Sequence, residues 1–569
     1  MHFSPFDWVI LLVALSSILA LGIFAKKHVL NTTDYLVAGR RVGFYIGTIT
    51  LFSTETAILT FMYFAEMGYV YGFAAFIAGI IPLLVFVFLG KTGFVIKTFR
   101  ELGLVTIPEY FQSRFSRGVR VVAGIMMVGG GALNFGVFPV LDSTFLNIVT
   151  GIPQRFILWT IICLMTMVLL YTALGGMVSV IVTSYVQYLL LFLAMAIITI
   201  YSFKVVGLRT MVTTVQSRMG AEGFNPLSHP AFGWTFIFWQ TLMWLAVLTA
   251  FAPLTIRAFA SESSEMAKRV FTWAGVLNVA RAILPMFWGV AALVYFAGKG
   301  PAPIQAMPRL LRAVLPAGLL GLVVVGLLAG TMSTYAGYLI AWGSIISQDI
   351  VLGLTKRPVG ERIRLRINRA AVLFLAVFVV WWGLWYKIPG AVFFYLYITG
   401  NIFLSGSFWI VIGGLYWKKA NSVGAYSALL LGAFSSLLYF FASHPDEWAG
   451  RLGFISFSSS FLGMVVGSLV SAYLRQVKIR TAWWAPVPPL ALAGFILWHF
   501  FKSYGWWANL WVVVLALTMI TFIGFSVYAL VKGLGDLHIL LRYHKLGETT
   551  SGKSSICATD GQHRGVNRT

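Results

Sequence analysis

The chain has 569 residues, of which 59% are hydrophobic and 10% charged, with a formal net charge of +24. Soluble globular chains carry about 25% charged residues, so a soluble enzyme, a coiled coil, a disordered chain and a disulfide scaffold are excluded. Each bilayer crossing needs about 20 apolar residues, and what remains is an all-α, polytopic membrane protein.

Hydrophobic runs bounded by charge, Gly or Pro mark about fifteen transmembrane helices. They are expected near 8–25, 44–66, 72–95, 120–147, 155–172, 178–202, 233–254, 269–298, 317–348, 368–386, 390–415, 422–442, 453–474, 485–502 and 505–532, numbered here as spans 1 to 15. The first run lacks a basic leader and is followed by Lys26 and Lys27, which predicts an uncleaved span with its N-terminus outside. With that orientation, thirty of the 41 Lys and Arg fall in cytoplasmic loops or the tail. The positive-inside rule then supports that orientation, with the C-terminus in the cytoplasm, and the plasma (cytoplasmic) membrane is the expected location. The basic excess fits anionic lipid beside those loops, not nucleic acid. Residues 533–569 read as a disordered cytoplasmic tail. Cys163 and Cys557 are too few for a disulfide framework or a thiolate cluster. No cofactor and no transition metal are expected.

Acids inside spans are expensive and by default functional. Span 2 carries Glu55 and Glu66, span 4 carries Asp142 near its outer end, and span 8 carries Arg281. In span 2, Ser53-Thr54-Glu55-Thr56 puts four polar residues in succession at membrane depth. An unwound stretch lining a cavity frees carbonyls and hydroxyls to coordinate a small cation. The alternative is a continuous helix whose Ser and Thr hydroxyls bond back to its own carbonyls. Span 9 reads Gly330-Thr331-Met332-Ser333-Thr334, a small-residue face that permits close helix approach and offers two adjacent hydroxyls. Paired with span 2, it makes an oxygen-only set suited to Na⁺. Solute-site candidates are Thr60 and Glu66 on span 2, Gln240 and Trp244 on span 7, Asn278 and Arg281 on span 8, and Asn401 on span 11. Arg281 is the natural partner of a carboxylate, so the first expectation is a small organic anion or an amino acid. A structural pair of Arg281 with Glu66 or Asp142 is the competing reading.

Six ordered motifs resemble the sodium:solute symporter family. They are Asp34-Tyr-Leu-Val-Ala-Gly39-Arg40, Thr106-Ile-Pro108-Glu109-Tyr110 with Arg114-Phe115, and Tyr171-Thr-Ala-Leu-Gly175-Gly176 with Thr183-Ser184 and Gln187. Arg257-Ala with Ala267-Lys268-Arg269, Met332-Ser333-Thr334 with Asp349, and Gly414-Leu-Tyr-Trp417-Lys-Lys-Ala-Asn421 complete the set. The resemblance implies a 5+5 inverted-repeat core of the leucine-transporter type with discontinuous spans 2 and 7. Residues 1–43 would precede the core, 44–202 and 203–415 would form its two halves, and 416–532 would add further spans. It also implies a sodium site made of the carbonyls of Ser53, Thr56 and Gly330 and the hydroxyls of Ser333 and Thr334. Many relatives place an acid where this chain has Ser184, so Glu55 is the expected source of negative charge. Polar residues of sugar-carrying relatives align with Phe251 and Ala252, which disfavours a sugar. The function implied is sodium-coupled symport of a small organic solute. A proton-coupled carrier using Glu55 is the alternative on the same fold. A channel lacks a continuous polar stripe, and an enzyme lacks a nucleophile–base or metal set at one depth.

Overall fold

The computed structural model describes residues 3–25, 27, 32–104, 106–297, 300–355, 359–388, 390–441, 445–474 and 504–551. Among these, twelve helices are long and apolar enough to cross a membrane, and Phe44–Ser53 and Gln154–Leu170 are shorter apolar helices. The expected span at 485–502, the end of the tail and Cys557 lie outside the described residues. The last helix, Tyr504–Ser551, runs well beyond its expected end at 532. Residues 533–551 are therefore helical, contrary to the expectation of disorder. The reason is a run of good helix formers with no proline, Leu537 to Leu546 among them.

Span 2 is two helices, Phe44–Ser53 and Ile58–Tyr71. Both sequence readings of it hold in part. The Thr54 hydroxyl donates to the Thr50 carbonyl and the Thr56 hydroxyl to the Phe52 carbonyl, each at 2.7 Å. Ala57 is nevertheless extended, at φ −93° and ψ 167°, and breaks the ladder. The Thr60 hydroxyl bridges the gap, accepting from the Ala57 amide and donating to the Glu55 carbonyl. Span 7 breaks in the same way. Gly233–Ala250 ends at Phe251, extended at φ −87° and ψ 108°, and Ala252–Ala260 restarts with Pro253 in its first turn, where its missing N–H costs nothing.

The other ends of these broken spans meet. Val42 pairs with Ser261 in an isolated parallel bridge, its amide donating to the Ala260 carbonyl at 3.1 Å. Span 8, Ser264–Tyr295, lies against Ile58–Tyr71 with almost nothing between them. A Cβ on Gly68 would strike the Met286 carbonyl, and one on Gly289 the Ala65 carbonyl. Spans 5 and 6 form one rod, Ile157–Val206, bent at Gly176, which has φ +54° and receives Tyr35 against its bare face.

The long last helix crosses this core. Asp536 accepts hydrogen bonds from the amides of Tyr45 (2.9 Å) and Ile46 (3.4 Å), capping the start of Phe44–Ser53. Tyr188 on span 6 bonds Ser526 of the same last helix.

Candidate functional site

Span 9, Leu319–Ser344, passes the break of span 2. The Thr334 hydroxyl reaches the Ser53 carbonyl at 3.2 Å, and a Cβ on Gly330 would collide with the Thr56 carbonyl oxygen. Ser333 and Ser184 hydroxyls are 2.8 Å apart. The fold thus brings together Ser53, Thr56, Gly330, Ser333, Thr334 and Ser184, all buried. The Thr331 hydroxyl, facing the other way, accepts the Ile58 amide at 2.8 Å and anchors the restarting helix.

Glu55, within the same break, faces elsewhere. Its carbonyl accepts from Arg281 at 2.6 Å, and its carboxylate lies 3.6 Å from that guanidinium and 3.1 Å from the Tyr338 hydroxyl. Arg281 therefore pairs with neither Glu66 nor Asp142. Its guanidinium also stands 5.7 Å from the ring centres of both Phe64 and Trp244, a cation–π arrangement. Glu55, Trp244, Arg281 and Tyr338 line a cavity of about 60 Å³ that also takes in Thr60, Tyr63 and Tyr397. Of the solute-site candidates, Thr60, Trp244 and Arg281 are in this cavity.

Glu66, Gln240, Asn278 and Asn401 do not line it. Glu66 sits on a separate pocket beside Met67 and Phe394, with its carboxylate 3.4 Å from the Val392 amide. Gln240 and Asn401 are fully buried on spans 7 and 11, and neither side-chain amide has a hydrogen-bond partner among the described residues. The reason lies in helix geometry: Glu66 stands six residues, about 9 Å, beyond Thr60 along span 2, and Gln240 and Asn278 are about one turn from Trp244 and Arg281.

Three residues of this region were not among the sequence candidates. Tyr338 and Tyr397 are aromatics in a chain rich in them, and nothing in their spacing marks them. Arg257 was assigned to a loop at 255–269, yet it is buried in Ala252–Ala260, donating to the Pro253 carbonyl at 2.8 Å. Its burial makes it a second guanidinium at membrane depth, and its position in the Arg257-Ala motif was the available clue.

The sodium:solute symporter family model matches residues 35–432. The chain belongs to this family. The symporter is 23% identical over 462 residues to the sodium/sialic acid symporter SiaT of Proteus mirabilis, covering 76% of this chain and 89% of that one. It is 28% identical over 374 residues to mouse sodium-coupled monocarboxylate transporter 2, covering 62% of this chain and 58% of that one. Among solved structures it is similar to a substrate-bound, outward-open Na⁺-coupled sialic acid symporter, with a TM-score of 0.70 and 20% identity. That match covers 82% of this chain and 98% of the other. Mhp1, a nucleobase-cation-symport-1 transporter, matches with a TM-score of 0.51 at 14% identity. The fold is the inverted-repeat architecture with discontinuous helices that the motifs implied. The symporter is a multi-pass membrane protein that moves a small solute with Na⁺ by alternating access, and it is not an enzyme.

Proposed function

We propose that Na⁺ binds at the break of span 2, held by the carbonyls of Ser53, Thr56 and Gly330 and the hydroxyls of Ser333 and Thr334. A hard monovalent cation takes oxygen ligands, and freed carbonyls at a helix break supply them without added charge. The solute binds next to it, in the cavity between Glu55 and Arg281. The observation that carries this reading is the Arg281–Glu55 pair at 3.6 Å, set among Tyr63, Trp244, Tyr338 and Tyr397. A small zwitterion of the amino-acid type satisfies both ends: its carboxylate takes Arg281 and its ammonium takes Glu55 and the ring faces. Two similar transporters are named for acids, sialic acid and monocarboxylates, and both substrates share the carboxylate.

A cavity of about 60 Å³ is about two water volumes, so a solute enters only when the walls part. Spans 2, 3, 7 and 8 would rock as a bundle against the remaining helices, opening the site to each side in turn. The membrane is the plasma membrane, with the N-terminus outside and the lipid-facing basic loops in the cytoplasm; nucleic acid is no partner. Each Na⁺ driven by 100 mV adds about 2.3 kcal/mol, which concentrates a solute roughly fifty-fold.

The test is uptake into proteoliposomes with amino acids, monocarboxylates and sugars offered in turn, varying Na⁺ and pH gradients separately. Sodium-driven uptake of small amino acids is expected. Uptake confined to sugars, or driven by pH alone, overturns the solute reading or the sodium site respectively.

A further inference from the structure

The five groups proposed to hold Na⁺ are all neutral. A negative charge near a cation held by neutral oxygens strengthens its binding. Glu55 is the acid closest in sequence, but Arg281 and Tyr338 hold its carboxylate, and Arg257 adds a second guanidinium to its surroundings.

Asp142 is in the opposite position. It is fully buried on Phe138–Thr150. One carboxylate oxygen accepts from the Tyr335 hydroxyl at 2.8 Å, and the other makes no hydrogen bond among the described residues. The Leu59 amide and the Thr331 hydroxyl flank it. Of the helices packed against this one, Ala306–Val314 brings Arg312, but that guanidinium donates to the Ile148 carbonyl, six residues or about 9 Å further along the helix. Span 10 brings Gly383, against Gly136 and Val140. Among the described residues, the groups that face Asp142 are thus a tyrosine, a threonine and a backbone amide, and no basic side chain.

The place of Asp142 relative to the ion is set by two short segments. Ser53 and Thr56 precede Leu59 on span 2, and Gly330, Ser333 and Thr334 interleave with Thr331 and Tyr335 on span 9. The Thr331–Ile58 hydrogen bond joins the two segments where they cross. The proposed ion site is on one side of that crossing and Asp142 on the other. We infer that Asp142 supplies the negative charge that balances the sodium ion, acting across the Thr331 turn as a positioning charge and not as a ligand. At an effective dielectric near 20, a unit charge about 12 Å away is worth about a factor of ten in ion affinity.

This inference rests on the sodium site proposed above, and sodium activation of solute uptake in proteoliposomes tests the two separately. Asp142→Asn is expected to raise the half-saturating Na⁺ concentration about tenfold, about 1.4 kcal/mol, while uptake at saturating Na⁺ is retained. Adding Ser184→Asp to that variant is expected to restore sodium affinity, because Ser184 stands 2.8 Å from Ser333 on the other flank of the site. A purely structural role for Asp142 would not be rescued by a charge moved to span 6. A shift under threefold in Asp142→Asn, or no recovery in the double variant, overturns the inference. If Asp142→Asn is not recovered folded, Asp142→Ser is read in its place, with the same tenfold shift expected and a shift under threefold overturning the inference. Sodium activation that survives loss of both the Ser333 and Thr334 hydroxyls would sink the site itself, whatever Asp142 does.

Discussion

The Thr334 hydroxyl meets the Ser53 carbonyl at 3.2 Å, although 281 residues separate them in the chain. That contact joins the interrupted middle of span 2 to the small-residue face of span 9, the two segments of the proposed cation site. Removing both hydroxyls by Ser333→Ala with Thr334→Ala leaves only carbonyls. Hydrogen bonds and ligands to charged groups are worth about 1.5–3 kcal/mol each, so half-saturating Na⁺ should rise at least about a hundredfold. Sodium activation curves of uptake measure it.

Gly330 backs directly onto the Thr56 carbonyl. Gly330→Ala forces span 9 away from the break, and overpacking of this kind costs about 1–3 kcal/mol. Sodium-dependent uptake should be lost in a protein that still purifies as a monodisperse species, read by size-exclusion chromatography beside the transport assay.

The Glu55–Arg281 pair predicts an asymmetry between single and double variants. Glu55→Gln leaves a buried guanidinium without its carboxylate, a change of about 3–5 kcal/mol, so thermal unfolding should move to clearly lower temperature. Glu55→Gln with Arg281→Met removes both charges and should recover much of that stability while transport remains abolished. A double variant as unstable as the single would show that the pair does not matter energetically.

Thr331 tests the anchor of the restarting helix. Thr331→Val leaves the Ile58 amide buried without an acceptor, a penalty of about 1–3 kcal/mol. Thr331→Ser keeps the oxygen. The valine variant should unfold at lower temperature than the serine variant, and a thermal-shift comparison of the two decides it.

Much of this was legible before any coordinates. Polar residues in succession at 53–56 cannot all be accommodated by a lipid-exposed helix, so the break was readable, and so was its span 9 partner. The positions of the spans followed from hydrophobic runs, because bilayer thickness leaves few alternatives. Side-chain direction was not readable. Glu66 and Arg281 are both charged residues inside spans, yet only Arg281 lines the central cavity, since Glu66 stands about two turns beyond Thr60 along span 2. Arg257 was missed because a loop and a buried half-helix after a break have the same composition. The final helix was cut short because its later residues alternate apolar and basic, which resembles a solvated tail.

The carboxylate that caps the start of Phe44–Ser53 comes from Asp536, 491 residues after Tyr45. At about 5–20 residues per second of synthesis, those amides wait roughly half a minute to a minute and a half for their partner. The start of Phe44–Ser53 is therefore capped only by a helix made hundreds of residues later. A ribosome stalled late would leave an inserted protein with an unsealed entry to its ion-binding segment.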